Sequence, residues 1–163
     1  FRNEIRDALV PAPSPSDPTR STYINAGRQR RDGLDLEVKT APVYNLSLSA
    51  GTEFISAKDL DTGISLVGVP VRIYDLGLHY DDQQTFKALL QGRYIDWNLD
   101  PSFEGSYGSF IFDLNLIKEI YRHRDASLEA FVDGHNIFNG FQYQMPFYKN
   151  PARWYETGIR YKF

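Results

Sequence analysis

The sequence predicts an all-β protein in which about eight antiparallel strands are connected up and down in one sheet. Eight stretches alternate apolar and polar residues with period two, the pattern of a strand with one apolar and one polar face. Long and short connections also alternate along the chain. In an up-and-down sheet this places long loops at one end and tight turns at the other, as is typical of transmembrane barrels.

The candidate strands are separated by turn signals rich in Gly, Pro, Asn and Asp. In order, they cover residues 1–10, 22–40, 44–57, 67–80, 85–97, 108–120, 127–138 and 152–163. The long breaks lie at 11–20, 58–63, 100–108 and 139–151, and the short ones near 41–44, 81–84 and 121–126. Four prolines predict that the segment 11–20 is an exposed loop, because proline lacks the N–H group that sheets and helices use.

The strand faces suggest what surrounds the sheet. In the strand at 67–80, Tyr74 and Tyr80 flank Leu76 and Leu78. Rings at strand ends suit the two interfaces of a bilayer, where the ring lies in hydrocarbon and its polar tip reaches water. Alternation alone also fits a soluble lipocalin-like barrel, whose apolar face points inward. The ring placement and the loop asymmetry favour the outer-membrane arrangement, in which Leu114→Arg would cost about 2–4 kcal/mol near the midplane.

Composition excludes several classes of protein. No stretch approaches the roughly 20 apolar residues of a membrane-spanning helix. With 18 basic and 21 acidic residues, a net charge of −3 and no long basic run, no nucleic-acid partner is expected. The chain has no cysteine, so it offers no disulfide and no thiolate ligand for a metal.

No residue pattern predicts catalysis, a metal site or a cofactor. Asp35 and Glu37 lie two apart on a polar face, as expected of carboxylates that line a water-filled lumen. Asp75 and His79 are four apart on a strand, about 13 Å, which is too far to share a metal ion. We therefore expect a non-enzyme. Any ligand contact should come from the aromatic long loops, with Trp97, Tyr107, Phe141 and Tyr143 as candidates.

Three stretches together resemble the carboxy-terminal part of the barrel of TonB-dependent outer-membrane receptors. They are "YINAGRQRRDGLDLEVKT" at 23–40, with Asn25, Gly27 and the run Gly33 to Glu37; "VDGHNIFNGFQY" at 132–143, with Asn136, Phe138, Asn139 and Tyr143; and the closing "NPARWYETGIRYKF". Their order and spacing agree with the family, and the opening "FRNEIRDAL" is similar to the strand that precedes the first motif.

The resemblance implies a protein of the bacterial outer membrane that imports a scarce nutrient such as an iron–siderophore complex or cobalamin. Residues 1–163 would form about a third of a barrel of about 22 strands, with the plug domain and the TonB-contacting segment absent from them. The implied partners are the lipid bilayer, the outer-membrane assembly machinery, the other strands and plug of the same receptor, and TonB through regions outside this segment. Tyr161 and Phe163 resemble the terminal signal for barrel assembly.

One alternative stays open within the same fold class. The chain would then be a self-contained eight-stranded outer-membrane barrel with a structural or adhesive role, closed by pairing the first strand with the eighth. Ion pairs between charged side chains could fill so narrow an interior.

Overall fold

The computed structural model describes residues 1–7, 9–13, 16–17, 19–25, 27–100, 108–145 and 148–163. These residues form twelve strands: β1 Arg2–Arg6, β2 Leu9–Pro13, β3 Ser21–Asn25, β4 Arg28–Lys39, β5 Leu46–Asp59, β6 Val69–Asp81, β7 Phe86–Asn98, β8 Ile111–His123, β9 Ala126–His135, β10 Tyr143–Met145, β11 Tyr148–Lys149 and β12 Trp154–Lys162. Within the described residues, none of the secondary structure is a helix of the length and apolarity that crossing a bilayer requires.

Eight strands form one antiparallel sheet in the order β1-β4-β5-β6-β7-β8-β9-β12, and the pairs β2–β3 and β10–β11 form two small ribbons. Three connections of this sheet are short, at 40–45, 82–85 and 124–125. The connections at 7–27, 60–68, 99–110 and 136–153 are longer, and the strand ends that they join are at the opposite end of the sheet. The predicted all-β, up-and-down architecture with a long-loop end and a tight-turn end is confirmed.

The prediction that residues 11–20 are entirely loop is wrong at their start. Leu9–Pro13 pairs with Ser21–Asn25, with Pro11 opposite Tyr23. Proline is compatible with this strand because a two-stranded ribbon has only edges, where one side of each strand needs no ladder donor.

Two predicted strands are divided in the structure. The stretch 1–10 breaks at Asp7, which has a φ of 55°, and the stretch 22–40 breaks at Gly27, with a φ of 71°. Left-handed backbone bends the chain out of the extended conformation, so neither stretch can continue as one strand. The predicted loop at 139–151 also contains β10 and β11.

Ladder register assigns each residue to a face, because directly opposed residues point to the same side. One row on the outer face runs through Leu48, Leu78, Leu90 and Leu114. The neighbouring row on the inner face runs through Lys39, Ser49, Gly77, Gln91 and Asp113. The predicted separation of apolar and charged faces is therefore confirmed.

The outer face has no second layer packed on it in the described part of the chain. Val38 is 67% exposed and Ile159 68%, and Leu36, Leu48 and Leu76 are also exposed. Among the described hydrophobic residues, only Ala57 and Ile73 are buried. Ordinary soluble domains do not expose an apolar face of this extent.

Aromatic rings border this apolar face at both ends, as predicted. At the long-loop end, the ring of Tyr94 lies 6.1 Å from that of Tyr74 and 5.4 Å from that of Phe110. At the tight-turn end, the rings of Tyr80 and Phe86 lie 6.0 Å apart. Between the two borders the outer face carries mainly aliphatic side chains.

Glycines on three strands accommodate a ring from the neighbouring strand. Gly158 is opposite Phe131, and a Cβ atom on this glycine would lie 2.6 Å from the ring. Gly92 is opposite Phe112 and would clash in the same way, while Gly134 lies beneath Tyr155. Because glycine has no side chain, each ring can lie over the glycine on the neighbouring strand. This is the cross-strand pairing of a glycine with an aromatic residue.

The sheet is open in this structure. β1 and β12 are its two edges, and the described residues contain no ladder between them. β1 covers only the Arg28–Asp32 portion of β4, so residues 34–39 form a further stretch of edge. Closure by pairing the first strand with the last, as the eight-stranded alternative requires, is not formed among these residues.

Candidate functional site

The inner face of the sheet contains a depression of about 620 Å³. Its wall is formed by residues of β4 to β8. One side is closed by Gln142, Tyr143 and Asn150, which belong to the connection between β9 and β12. The site therefore combines strand residues with a loop that folds inward.

Carboxylates dominate the charge of this depression. The lining contains five acidic side chains, Asp35, Glu37, Glu53, Asp75 and Asp113, and two basic ones, Lys39 and Arg93. Both cations are near a carboxylate: Lys39 Nζ lies 2.8 Å from Glu37, and Arg93 Nε lies 3.8 Å from Asp75. Because these pairs are exposed, each contributes about 0–1 kcal/mol. The depression therefore has an exposed, mainly acidic surface, as expected for the lining of a lumen.

Within the described part of the chain, no three Asp, Glu or His side chains are grouped closely enough to hold a metal ion. Asp35 lies directly opposite Glu53 on the neighbouring strand. Like charges in this position repel one another, so they require water or a cationic group nearby. This arrangement suits a wet wall better than a catalytic acid–base pair.

The most constrained part of the site is the segment after β9. We call residues 136–145 and 148–153 the strap. Asn136 begins it with a φ of 49° and is only 4% exposed. Its side-chain amide donates to the carbonyl oxygens of Gly140, at 3.0 Å, and Pro151, at 2.9 Å, and accepts from the Gly140 N–H at 2.7 Å. One side chain thus joins the beginning of the strap to its end.

The Asn136 backbone connects this junction to the lumen wall. Its N–H donates to the Asp113 carboxylate at 2.8 Å. Asn139, which also has a positive φ of 53°, accepts a hydrogen bond from the Arg153 N–H at 3.1 Å. Asparagine tolerates left-handed backbone better than most residues, which explains its use at both positions.

The middle of the strap is held against β7 and the residues just before β8. Gln142 is 2% exposed, and its amide donates to the Ser109 carbonyl at 3.3 Å. The Ser109 N–H donates to the Phe141 carbonyl at 3.2 Å. The indole N–H of Trp97 donates to the Tyr143 carbonyl at 3.0 Å. These bonds satisfy polar groups that would otherwise be buried without partners.

The structure brings two of the four predicted ligand-contact residues together. Trp97 hydrogen-bonds the backbone of Tyr143, and Tyr143 lines the depression. Phe141 is 45% exposed and lies beneath the Lys149 ammonium, 4.0 Å from the ring centroid, outside the lining of the depression. Tyr107 lies outside the described residues. Whether these residues contact a ligand stays a prediction.

The sequence pattern did not predict Gln142 or Asp113 as site residues, and it indicated Asn136 only as part of a motif. The signal available for Asn136 was the pair of asparagines three residues apart directly after a strand. Nothing in the sequence pattern indicated that Gln142 would be buried against Ser109.

At the tight-turn end, β12 is joined to β9 by charged groups on the inner face. Glu129 contacts the Lys162 ammonium, and Arg160 lies 3.6 Å from the same carboxylate. The Arg160 guanidinium also lies over the Phe131 ring at 5.6 Å. The two residues predicted as the assembly signal are nearby: the rings of Tyr161 and Phe163 stack with their centroids 5.8 Å apart.

The turn between β6 and β7 is stabilised by one carboxylate. Asp82 accepts hydrogen bonds from the backbone N–H groups of Phe86, Gln84 and Thr85 at 2.7–2.8 Å. The bond from Phe86, followed by those from Gln84 and Thr85, lowers the pKa of Asp82 below its ordinary value of 3.8. The ionised form is therefore favoured in the folded turn.

Comparison with known proteins identifies one family match. Residues 1–156 match the family described as "TonB dependent receptor-like, beta-barrel". A search of curated proteins returned no match.

Proposed function

Because the chain belongs to the TonB dependent receptor-like β-barrel family, we propose that it forms part of the wall of an outer-membrane receptor that imports a scarce nutrient. The family is one of transporters, which supports a role for the wall in transport. An iron–siderophore complex or cobalamin is the substrate that we propose. The residues of the inner face serve as the hydrated lining of the import route.

The observation that carries this proposal is the uncovered apolar outer face, with Val38 and Ile159 about two-thirds exposed. In water, apolar surface costs about 25 cal/mol per Å², and an uncovered sheet face would associate with other molecules. In a bilayer the same face is solvated by lipid. The aromatic rings at both ends then lie at the interfaces, and the strand ladders satisfy the backbone groups.

The two edges of the sheet support the wider arrangement. An unpaired edge cannot be left in the hydrocarbon of a membrane, because its N–H and C=O groups would have no partners. We therefore place further strands of the receptor beside β1 and β12. A plug inside the barrel, and contact with TonB through regions outside this segment, complete the proposed receptor.

The test uses the complete receptor in bacterial cells with and without TonB. We expect the protein in the outer-membrane fraction, with a band whose electrophoretic mobility changes on heating, as for folded barrels. Uptake is measured with labelled ferric siderophores and cyanocobalamin, and at least one probe should enter only when TonB is present. A stable, soluble monomer would contradict membrane placement. An outer-membrane location without TonB-dependent uptake of these probes would favour the structural or adhesive barrel.

A further inference from the structure

We propose that Asn136 fixes the strap in its inward-folded position, where the strap closes one side of the depression on the inner face. We further propose that Asn136 is thereby a positioning residue for ligand entry at the long-loop end. This role in entry rests on the proposed function. The pinning itself rests only on the geometry of the strap and can be tested without knowing the ligand.

The side chain and backbone of Asn136 match their surroundings. The backbone there is left-handed, and the amide must donate to two carbonyl oxygens and accept from one N–H group. Aspartate would place a carboxylate against the carbonyls of Gly140 and Pro151, and alanine would provide no bond. Because the site is buried, a lost partner leaves these backbone groups unsatisfied.

A separate close contact holds the other side of the strap. A Cβ atom on Gly140 would collide with the Phe110 carbonyl oxygen, and it would lie 3.2 Å from Ser109 Cβ and 3.4 Å from Ile111 Cδ1. The strap backbone is thus packed directly against the start of β8. Together with the Trp97 bond to Tyr143, this contact holds the strap against the wall on both neighbouring strands.

The position of the strap determines which polar groups face the depression. Gln142, Tyr143 and Asn150 line the depression only because the strap is folded inward. They face the same space as Asp75 and Asp113 of the strands. Pinning therefore fixes the position of these polar groups before any ligand arrives, which reduces the entropy cost of binding.

The experiment compares Asn136→Gly with Asn139→Gly in the complete receptor purified in detergent. Both residues have a positive φ, so glycine relieves the backbone at both positions and only the loss of side-chain bonds differs. The Asn139 amide makes an exposed bond to the Arg153 N–H, whereas the Asn136 bonds are part-buried. Hydrogen exchange is followed by mass spectrometry on peptides that lie within 138–145.

We expect amide exchange in these peptides to be at least tenfold faster in Asn136→Gly and nearly unchanged in Asn139→Gly. The heat-modifiable band serves as the check on folding. Should Asn136→Gly fail to fold, Gly140→Ala tests the same packing from the other side and should also accelerate exchange. Exchange in a folded variant at the wild-type rate would overturn the pinning.

The second measurement is uptake of whichever labelled ferric siderophore or cyanocobalamin the wild-type receptor imports. We expect Asn136→Gly to import it at least fivefold more slowly, while Asn139→Gly stays close to wild type. Accelerated exchange with unchanged uptake would overturn the role in ligand entry. If the wild type imports none of these probes, the proposed function and the role in entry both fail, whereas the exchange result still decides the pinning.

Discussion

Replacing Leu114 with arginine tests which side of the sheet faces lipid. Leu114 is on the outer face of β8, between Leu90 and Gly134 on the neighbouring strands. It lies four positions from Phe110 at one aromatic border and four from Lys118, whose ammonium donates to Thr85 in the tight turn. At about 3.4 Å per residue and a tilt of about 40°, each border is roughly 10 Å away along the membrane normal.

Leu114 therefore occupies the middle of the apolar band. Arginine at the midplane of a barrel costs about 2–4 kcal/mol, against about 0–1 kcal/mol near the interfaces. Since about 1.4 kcal/mol corresponds to a factor of ten in an equilibrium constant, the ratio of folded to unfolded receptor should fall by about thirtyfold to several-hundredfold. The assay dilutes the complete receptor from urea into phospholipid vesicles and measures the heat-modifiable fraction across a series of urea concentrations.

The matched control is Gln91→Arg, one row away on the inner face and directly opposite Asp113. There the new cation lies on the exposed, mainly acidic surface of the depression, so we expect a change within about 0.5 kcal/mol. An equal or larger loss for Gln91→Arg, or full tolerance of Leu114→Arg, would mean that the face assignment is wrong.

Three further predictions concern single residues. Gly92→Ala should destabilise the barrel by about 1–3 kcal/mol in the same urea series, because its methyl group would collide with the Phe112 ring, whereas Gly51→Ala, whose Cβ would lie no closer than 3.7 Å to another atom, should be nearly neutral. Asp82→Asn should reduce stability at pH 6, and this reduction should become smaller as the pH falls below about 3.8. Because the pKa of Asp82 is lowered in the folded state, its carboxylate stabilises the fold above the unfolded pKa near 3.8, and this stabilisation is lost as the pH falls through the folded pKa. A stability difference between wild type and variant that stays constant as the pH falls would contradict the turn geometry. Phe163→Ala should lower the amount of receptor in the outer membrane while leaving uptake per assembled molecule unchanged, and an unchanged amount would remove the assembly role.

Features that depend on neighbouring residues in the sequence could be predicted, whereas features that depend on contacts between distant residues could not. Period-two alternation around Leu114 is a local property, so the sheet faces and ring borders could be predicted directly. The strand at Leu9–Pro13 could not, because proline is excluded from a central strand and only the tertiary arrangement makes this one an edge. The strap depends on contacts such as Gln142 with Ser109, 33 residues apart. No periodicity reports a contact of that kind, although the asparagine pair indicated where the strand ends.

The alternation of the strands also separates two demands on the same stretch of chain. In the proposed receptor, alternate positions have different surroundings: one set contacts lipid, and the other lines the import route. Lys39, Gln91 and Asp113 share a row in which no member contributes to the lipid-facing surface. The charge of the inner face could therefore be changed from acidic to neutral or basic without replacing any residue of the apolar outer face. For the same reason, the substrate of such a receptor could change during evolution without a change in the surface that we propose to face lipid.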